Sequence, residues 1–136
     1  APVGGFSIEN TERPQLFIGS GVGMTPLVSM FKKAASLNVP TQMIQAVVTE
    51  DERPFAQKLD SITDNYEQAQ LHLRVKDKEG YLEAKELEQY LSEQPEIYIC
   101  GGTKFLHSII NSLKELNYDM NHVHFETFIP RLSVQV

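Results

Sequence analysis

The stretch Gly19-Ser20-Gly21-Val22-Gly23-Met24-Thr25-Pro26 constrains this chain more than any other. It follows the apolar run Leu16-Phe17-Ile18 and precedes a helical pattern, so it reads as a strand, a tight turn and a helix N-terminus. Three glycines in five positions leave the backbone bare enough for an anion to approach closely. Thr25 is placed to cap the helix with its hydroxyl. Pro26 suits a first helical turn, where a missing N–H is no loss. Free N–H groups and the helix dipole at that point favour a phosphate or pyrophosphate. The competing reading is a plain strand-to-helix turn with no ligand.

The rest of the chain repeats the strand-then-helix alternation. Residues 15–19 form the first expected strand. Leu27, Met30, Phe31, Ala34 and Ala35 fall on one face of the following helix, which Asn38 and Pro40 end. Residues 42–48 are an apolar run suited to a buried parallel strand. After Pro54 a helix aligns Phe55, Leu59, Ile62 and Tyr66, and Leu71, Leu73 and Val75 alternate as a third strand. Residues 76–80 read as a charged turn, and 84–91 as a shorter helix with Leu87, Tyr90 and Leu91 inward. Ile97-Tyr98-Ile99-Cys100 is a fourth strand, broken by Gly101 and Gly102. An amphipathic helix then carries Leu106, Ile109, Ile110, Leu113 and Leu116, and residues 123–128 are the last strand. Phe6 and Ile8 alternate, which predicts a short strand near the N-terminus. The pattern predicts an α/β fold: a doubly wound, mostly parallel five-stranded sheet with helices on both faces and ligands at the carboxyl ends of its strands.

Composition narrows the function. The 136 residues argue for one domain with a substantial core. A net charge of −6 without any basic stripe speaks against nucleic acid as a partner. The lone Cys100 excludes a disulfide within the chain and fits a reducing cytoplasm. No apolar run is long enough to span a bilayer as a helix, so no membrane partner is expected.

The glycine turn reads G-x-G-x-G, and it lacks the G-K-[ST] ending of an NTPase loop. That disfavours ATP or GTP hydrolysis. A second strand-then-glycine break, Cys100-Gly101-Gly102, precedes another helix. Two such breaks flank one crevice in a doubly wound sheet, which favours a dinucleotide lying across it. Cys100 reads either as a nucleophile or as a buried thiol ending an apolar strand. The second strand ends in Glu50 and Asp51, where a carboxylate can accept the ribose hydroxyls and repel a 2′-phosphate. This favours NADH over NADPH. Arg53 argues the other way, and a solvated charge run is the alternative. His122 and His124 share a strand face, but metal-ligand spacing is absent and no metal is expected. Glu126 and Phe128 close the last strand beside the expected crevice.

Together, residues 17–27, Tyr98-Ile99-Cys100-Gly101-Gly102 and His124-Phe125-Glu126-Thr127-Phe128 resemble the NAD(P)H-binding domain of ferredoxin-reductase-type flavoenzymes. Among the branches of that group they look most like the reductase module of flavohemoglobins, the nitric oxide dioxygenases. The resemblance implies that residues 1–13 end a flavin-binding barrel, that 14–130 form the NAD(P)H-binding domain, and that 131–136 are a C-terminal tail. It implies a nucleotide held by Gly21, Val22, Gly23, Met24, Thr25, Pro26, Cys100, Gly101 and Gly102, with the nicotinamide near Thr25 and Cys100. Phe128 resembles the aromatic residue that covers the flavin, and Glu126 the carboxylate beside it. FAD and haem would sit on a barrel and a globin outside this chain, with the isolated chain inactive alone. Three positions depart from the family pattern: Gly102 replaces a proline, Val48 stands at an arginine position, and Ile129-Pro130 follows Phe128 where glycine-proline is usual. Two other readings remain: a reductase feeding an iron–sulfur protein or oxygenase, and a nucleotide-binding module without catalysis.

Overall fold

The strands stack in the order β3-β2-β1-β4-β5, so the chain builds outward in one direction and then crosses back to build in the other. This computed structural model describes residues 7–127. The elements are β1 (Gln15–Ser20), α1 (Thr25–Ser36), β2 (Thr41–Val47), α2 (Ala56–Asn65), β3 (Ala69–Val75), α3 (Lys76–Glu79), α4 (Ala84–Leu87), β4 (Glu96–Gly101), α5 (Thr103–Glu115) and β5 (Val123–Thr127). All four strand pairings are parallel. A parallel sheet must be covered on both faces, because its strands are apolar on both.

Register decides which side chains share a face. Phe17 pairs with Met43 and Tyr98, while Ile18 pairs with Ile44 and Ile99. The first set packs against Leu27 and Phe31 of α1 and Leu59 and Ile62 of α2. Within it, Phe17 meets Phe31 edge-on and stacks on Tyr98, which stacks on His124. The second set packs against Leu87 of α4 and Leu106, Ile109 and Leu113 of α5. Each fully buried Leu, Ile or Phe contributes on the order of 1.5–3 kcal/mol. The helical faces read from periodicity are the faces buried.

Boundaries moved where local chemistry overrode the pattern. Residues 7–10 form no strand, and Phe6 lies outside the described residues. Instead, the Tyr98 hydroxyl accepts from the Glu9 amide and donates to its carbonyl, anchoring this segment irregularly. The charged turn is a single helical turn, α3, ended by Gly80 at φ +80°. The 84–91 helix splits into α4 and a 3₁₀ turn at Glu88–Tyr90. β4 runs on through Gly101, and Gly102 precedes α5. β5 is described to Thr127, so Phe128, together with residues 129–136, lies outside the described residues.

Candidate functional site

The two glycine breaks meet on one rim. β1 and β4 are neighbours, with Gly19 opposite Cys100, and the sheet reverses its building direction between them. Gly21 follows β1 and Gly101 ends β4, so both stand at the carboxyl end of the switch point, where doubly wound sheets bind ligands.

The glycines there do two different jobs. A Cβ on Gly19 would come 2.8 Å from the Met24 Cβ, and one on Gly101 would come 2.6 Å from the Phe105 ring and 2.7 Å from the Ser20 Oγ. These two allow tight packing beneath the turn. Gly21 has φ +65°, and a Cβ placed there would meet nothing within 4 Å; Gly102 is equally open. Their bare backbone faces free space, a cradle that fits a pyrophosphate.

The helix start differs from expectation. The cap position falls on Met24, and Thr25 is already the first helical residue, because a 3₁₀ turn at Val22–Met24 advances the chain before α1. Pro26 does occupy the first turn. Met24 is fully buried in the core, which leaves only its backbone for the turn. Gly23 and Pro26 are half-buried and Thr25 is exposed.

A cleft of about 660 Å³ begins at Ser20 and Gly21 and runs across the ends of β2 and β3. Its walls are the 46–48 segment, residues 80–82, and Lys104, Phe105 and Ser108 of α5. Arg74, Lys76 and Lys104 line it against one acid, Glu52. Arg74 is paired with Glu86, so Lys76 and Lys104 are the lining cations left to face a phosphate. Arg74, Lys76, Tyr81 and Lys104 are not singled out by any sequence motif, although the ends of β3 and the start of α5 follow the same carboxyl-rim rule.

Glu50 and Asp51 do not line this cleft; Glu52 does. The Glu52 amide donates to the Thr49 carbonyl at 3.2 Å, and this turn brings Glu52 back over the end of β2. Glu50 pairs with Lys78 instead. Arg53 is turned away from the cleft. It donates to the buried Gln45 at 3.1 Å and pairs with Asp60 at 3.0 Å.

Cys100 is 1% exposed, and burial, then the nearby Glu126 charge, pushes its thiol up to about 12. This burial is what the second reading of Cys100, a thiol ending an apolar strand, expects. Glu126 is its partner in register on β5 and is half-buried. His122 and His124 converge on Glu96 at 2.9 and 2.6 Å, with Arg13 at 3.4 Å, on the opposite rim. Burial raises the Glu96 carboxyl, but the hydrogen bonds and charges of His124 and His122 more than offset this and hold it below its usual value. Among the described residues no group of His, Cys, Asp and Glu is arranged to hold a metal, and no helix is long and apolar enough to cross a membrane.

The chain is 28% identical to flavohemoprotein B of Dictyostelium discoideum over 98% of its own length and 35% of that protein. It is 28% identical to a flavohemoprotein of Oceanobacillus iheyensis, over 96% of the chain and 35% of that protein. It thus spans about a third of the curated relatives it matches. In fold it resembles the flavohem-like FAD/NAD-binding domain of nitric oxide dioxygenase from Vibrio cholerae, with TM-score 0.76, 24% identity, and coverage of 92% of this chain and 54% of that one. It likewise resembles the flavohemoglobin of Malassezia yamatoensis, with TM-score 0.78, 19% identity, and coverage of 90% and 33%. The family model for the oxidoreductase NAD-binding domain matches residues 17–110, from β1 into α5, and the chain belongs to that family.

Proposed function

We propose that this chain is the NADH-binding reductase module of a larger flavohemoglobin-like protein. The observation that carries the reading is the cleft opening from the Gly21 turn at the β1/β4 switch point, with Lys76 and Lys104 in its lining. The backbone of Gly21, Val22 and Gly23 and the start of α1 at Thr25 and Pro26 would hold the pyrophosphate. The cleft would take the adenosine half, and Thr25, Cys100, Gly101 and Gly102 would border the nicotinamide half. A nucleotide held there would supply hydride chemistry to a flavin on a neighbouring domain, in service of a haem-dependent nitric oxide dioxygenation.

The chain's own part is orientation. Residues 21–26 hold the phosphates so that reacting atoms can reach roughly 3–3.5 Å. Cys100 is a neutral, close-packed wall rather than an acid or base. Glu126 borders the entrance, and by resemblance Phe128, outside the described residues, would be the aromatic residue that covers the flavin. NADH is preferred to NADPH because Glu52 sets a carboxylate on the cleft wall at the end of β2. Residues 1–13 belong to the junction with a flavin-binding barrel, and 131–136 form a tail. The short span relative to the curated relatives supports both that barrel and a globin in the intact protein. The cytoplasm is the setting such a lone free thiol suits.

Calorimetric titration with NADH and NADPH tests the binding. NADH should bind more tightly, and stronger binding of NADPH would refute the carboxylate argument. With its flavin domain present, the protein should lose flavin absorbance on adding NADH. Binding without bleaching would reject hydride transfer.

A further inference from the structure

Arg74 sits on β3 and is only 15% exposed, yet it lines the cleft. Its guanidinium is committed internally. Nε donates to the Gly80 carbonyl at 3.1 Å, one terminal nitrogen donates to the carbonyls of Glu79 at 2.7 Å and Tyr81 at 3.0 Å, and the other pairs with Glu86. Four of its five N–H donors are thus used within the chain. Little donor capacity remains for a phosphate.

What Arg74 holds is the segment that closes the far end of the cleft. Gly80 turns the chain at φ +80°, Tyr81 follows with 70% of its surface exposed, and Leu82 plugs into the second core. Glu86 is itself fixed, because its other carboxylate oxygen accepts from the Glu83 amide at 2.9 Å. Lys76 lies 4.8 Å from the centre of the Tyr81 ring. Without the guanidinium, three consecutive carbonyls lose their donor and the backbone that carries Tyr81 onto the cleft wall loses its anchor.

We propose that Arg74 is a positioning residue for nucleotide binding: it clamps residues 79–81 against Glu86 so that Tyr81 presents a rigid aromatic wall to the adenosine half. This rests on the reading that the cleft takes that half. A clamped aromatic ring binds a flat base at low ordering cost, because the ordering has been done before the ligand arrives.

The test is a calorimetric double-mutant cycle on the chain, with ADP-ribose and nicotinamide mononucleotide as separate probes. Arg74→Met should weaken ADP-ribose about tenfold and leave nicotinamide mononucleotide within about twofold. In a Tyr81→Ala background the same substitution should change ADP-ribose affinity less than about twofold. Glu86→Gln keeps an oxygen for the Glu83 amide but removes the charge facing Arg74. It gives a milder perturbation should Arg74→Met fold poorly, and it should weaken ADP-ribose in the same direction. An undiminished effect of Arg74→Met in the Tyr81→Ala background would mean direct contact with the ligand and would overturn the clamp. Unchanged ADP-ribose affinity in both Arg74→Met and Glu86→Gln would also overturn it. If the unaltered chain takes up no ADP-ribose, the nucleotide reading itself fails.

Discussion

Substituting alanine at Gly19 and at Gly21 should separate packing from ligand approach within a single turn. At Gly19 the new methyl would lie 2.8 Å from the Met24 Cβ and 3.0 Å from Leu27 Cδ1. Met24 and Leu27 are both fully buried, and a Cβ moves only with its backbone. The turn itself must shift. Overpacking of this kind costs roughly 1–3 kcal/mol, and the rigid neighbour puts Gly19→Ala in the upper half, about 2–3 kcal/mol. For a domain of this size each kcal/mol lowers Tm by roughly 3 °C, so the expected drop is about 6–9 °C. At Gly21 the methyl meets nothing within 4 Å, and the penalty comes only from φ +65°. That penalty is roughly 1–2 kcal/mol for an L-residue, or a drop of about 3–6 °C. The same methyl projects into the space proposed for the pyrophosphate. Gly21→Ala should therefore weaken NADH at least about tenfold, out of proportion to its smaller stability loss. Thermal unfolding by circular dichroism and NADH titration measure both quantities. The reasoning is refuted if Gly21→Ala lowers Tm as much as Gly19→Ala, or if it leaves NADH affinity within about twofold of the unaltered chain.

Two further outcomes test the chemistry around the sheet. Glu96 is held below its ordinary value in the folded chain, so its ionised contacts with His122, His124 and Arg13 stabilise above the unfolded carboxyl range near pH 4.3 and are lost as pH falls through the folded value. Glu96→Gln should cost about 2–4 kcal/mol at pH 7 by urea unfolding, and the gap to the unaltered chain should narrow steadily as pH falls from about 5 to about 3. A gap independent of pH would show that the carboxylate charge is not what matters. Cys100, with its thiol pushed up to about 12, should react with iodoacetamide at pH 7.5 at least about 100-fold more slowly in the folded chain than in urea, followed by mass spectrometry. Rapid alkylation of the folded chain would end its description as an enclosed wall.

Much of the fold was legible along the chain. Leu27, Met30, Phe31, Ala34 and Ala35 are all buried where a 3.6-residue period puts them, and Leu106, Ile109 and Leu113 likewise. The two strand-glycine breaks marked the rim that β1 and β4 share. These features depend on backbone preference and side-chain spacing over a few residues, so local sequence carries them. The site's walls depend on something else. Arg74, Tyr81 and Lys104 reach one cleft only because β3, β2 and β1 lie side by side and α5 packs on the same face. Glu52, rather than Glu50 or Asp51, reaches the wall because of one turn at residues 49–52. Glu96 finds His122 and His124 across 26 and 28 residues through the β4–β5 register. Strand order and register are set by burying both faces of the sheet at once, a global condition that no local pattern expresses.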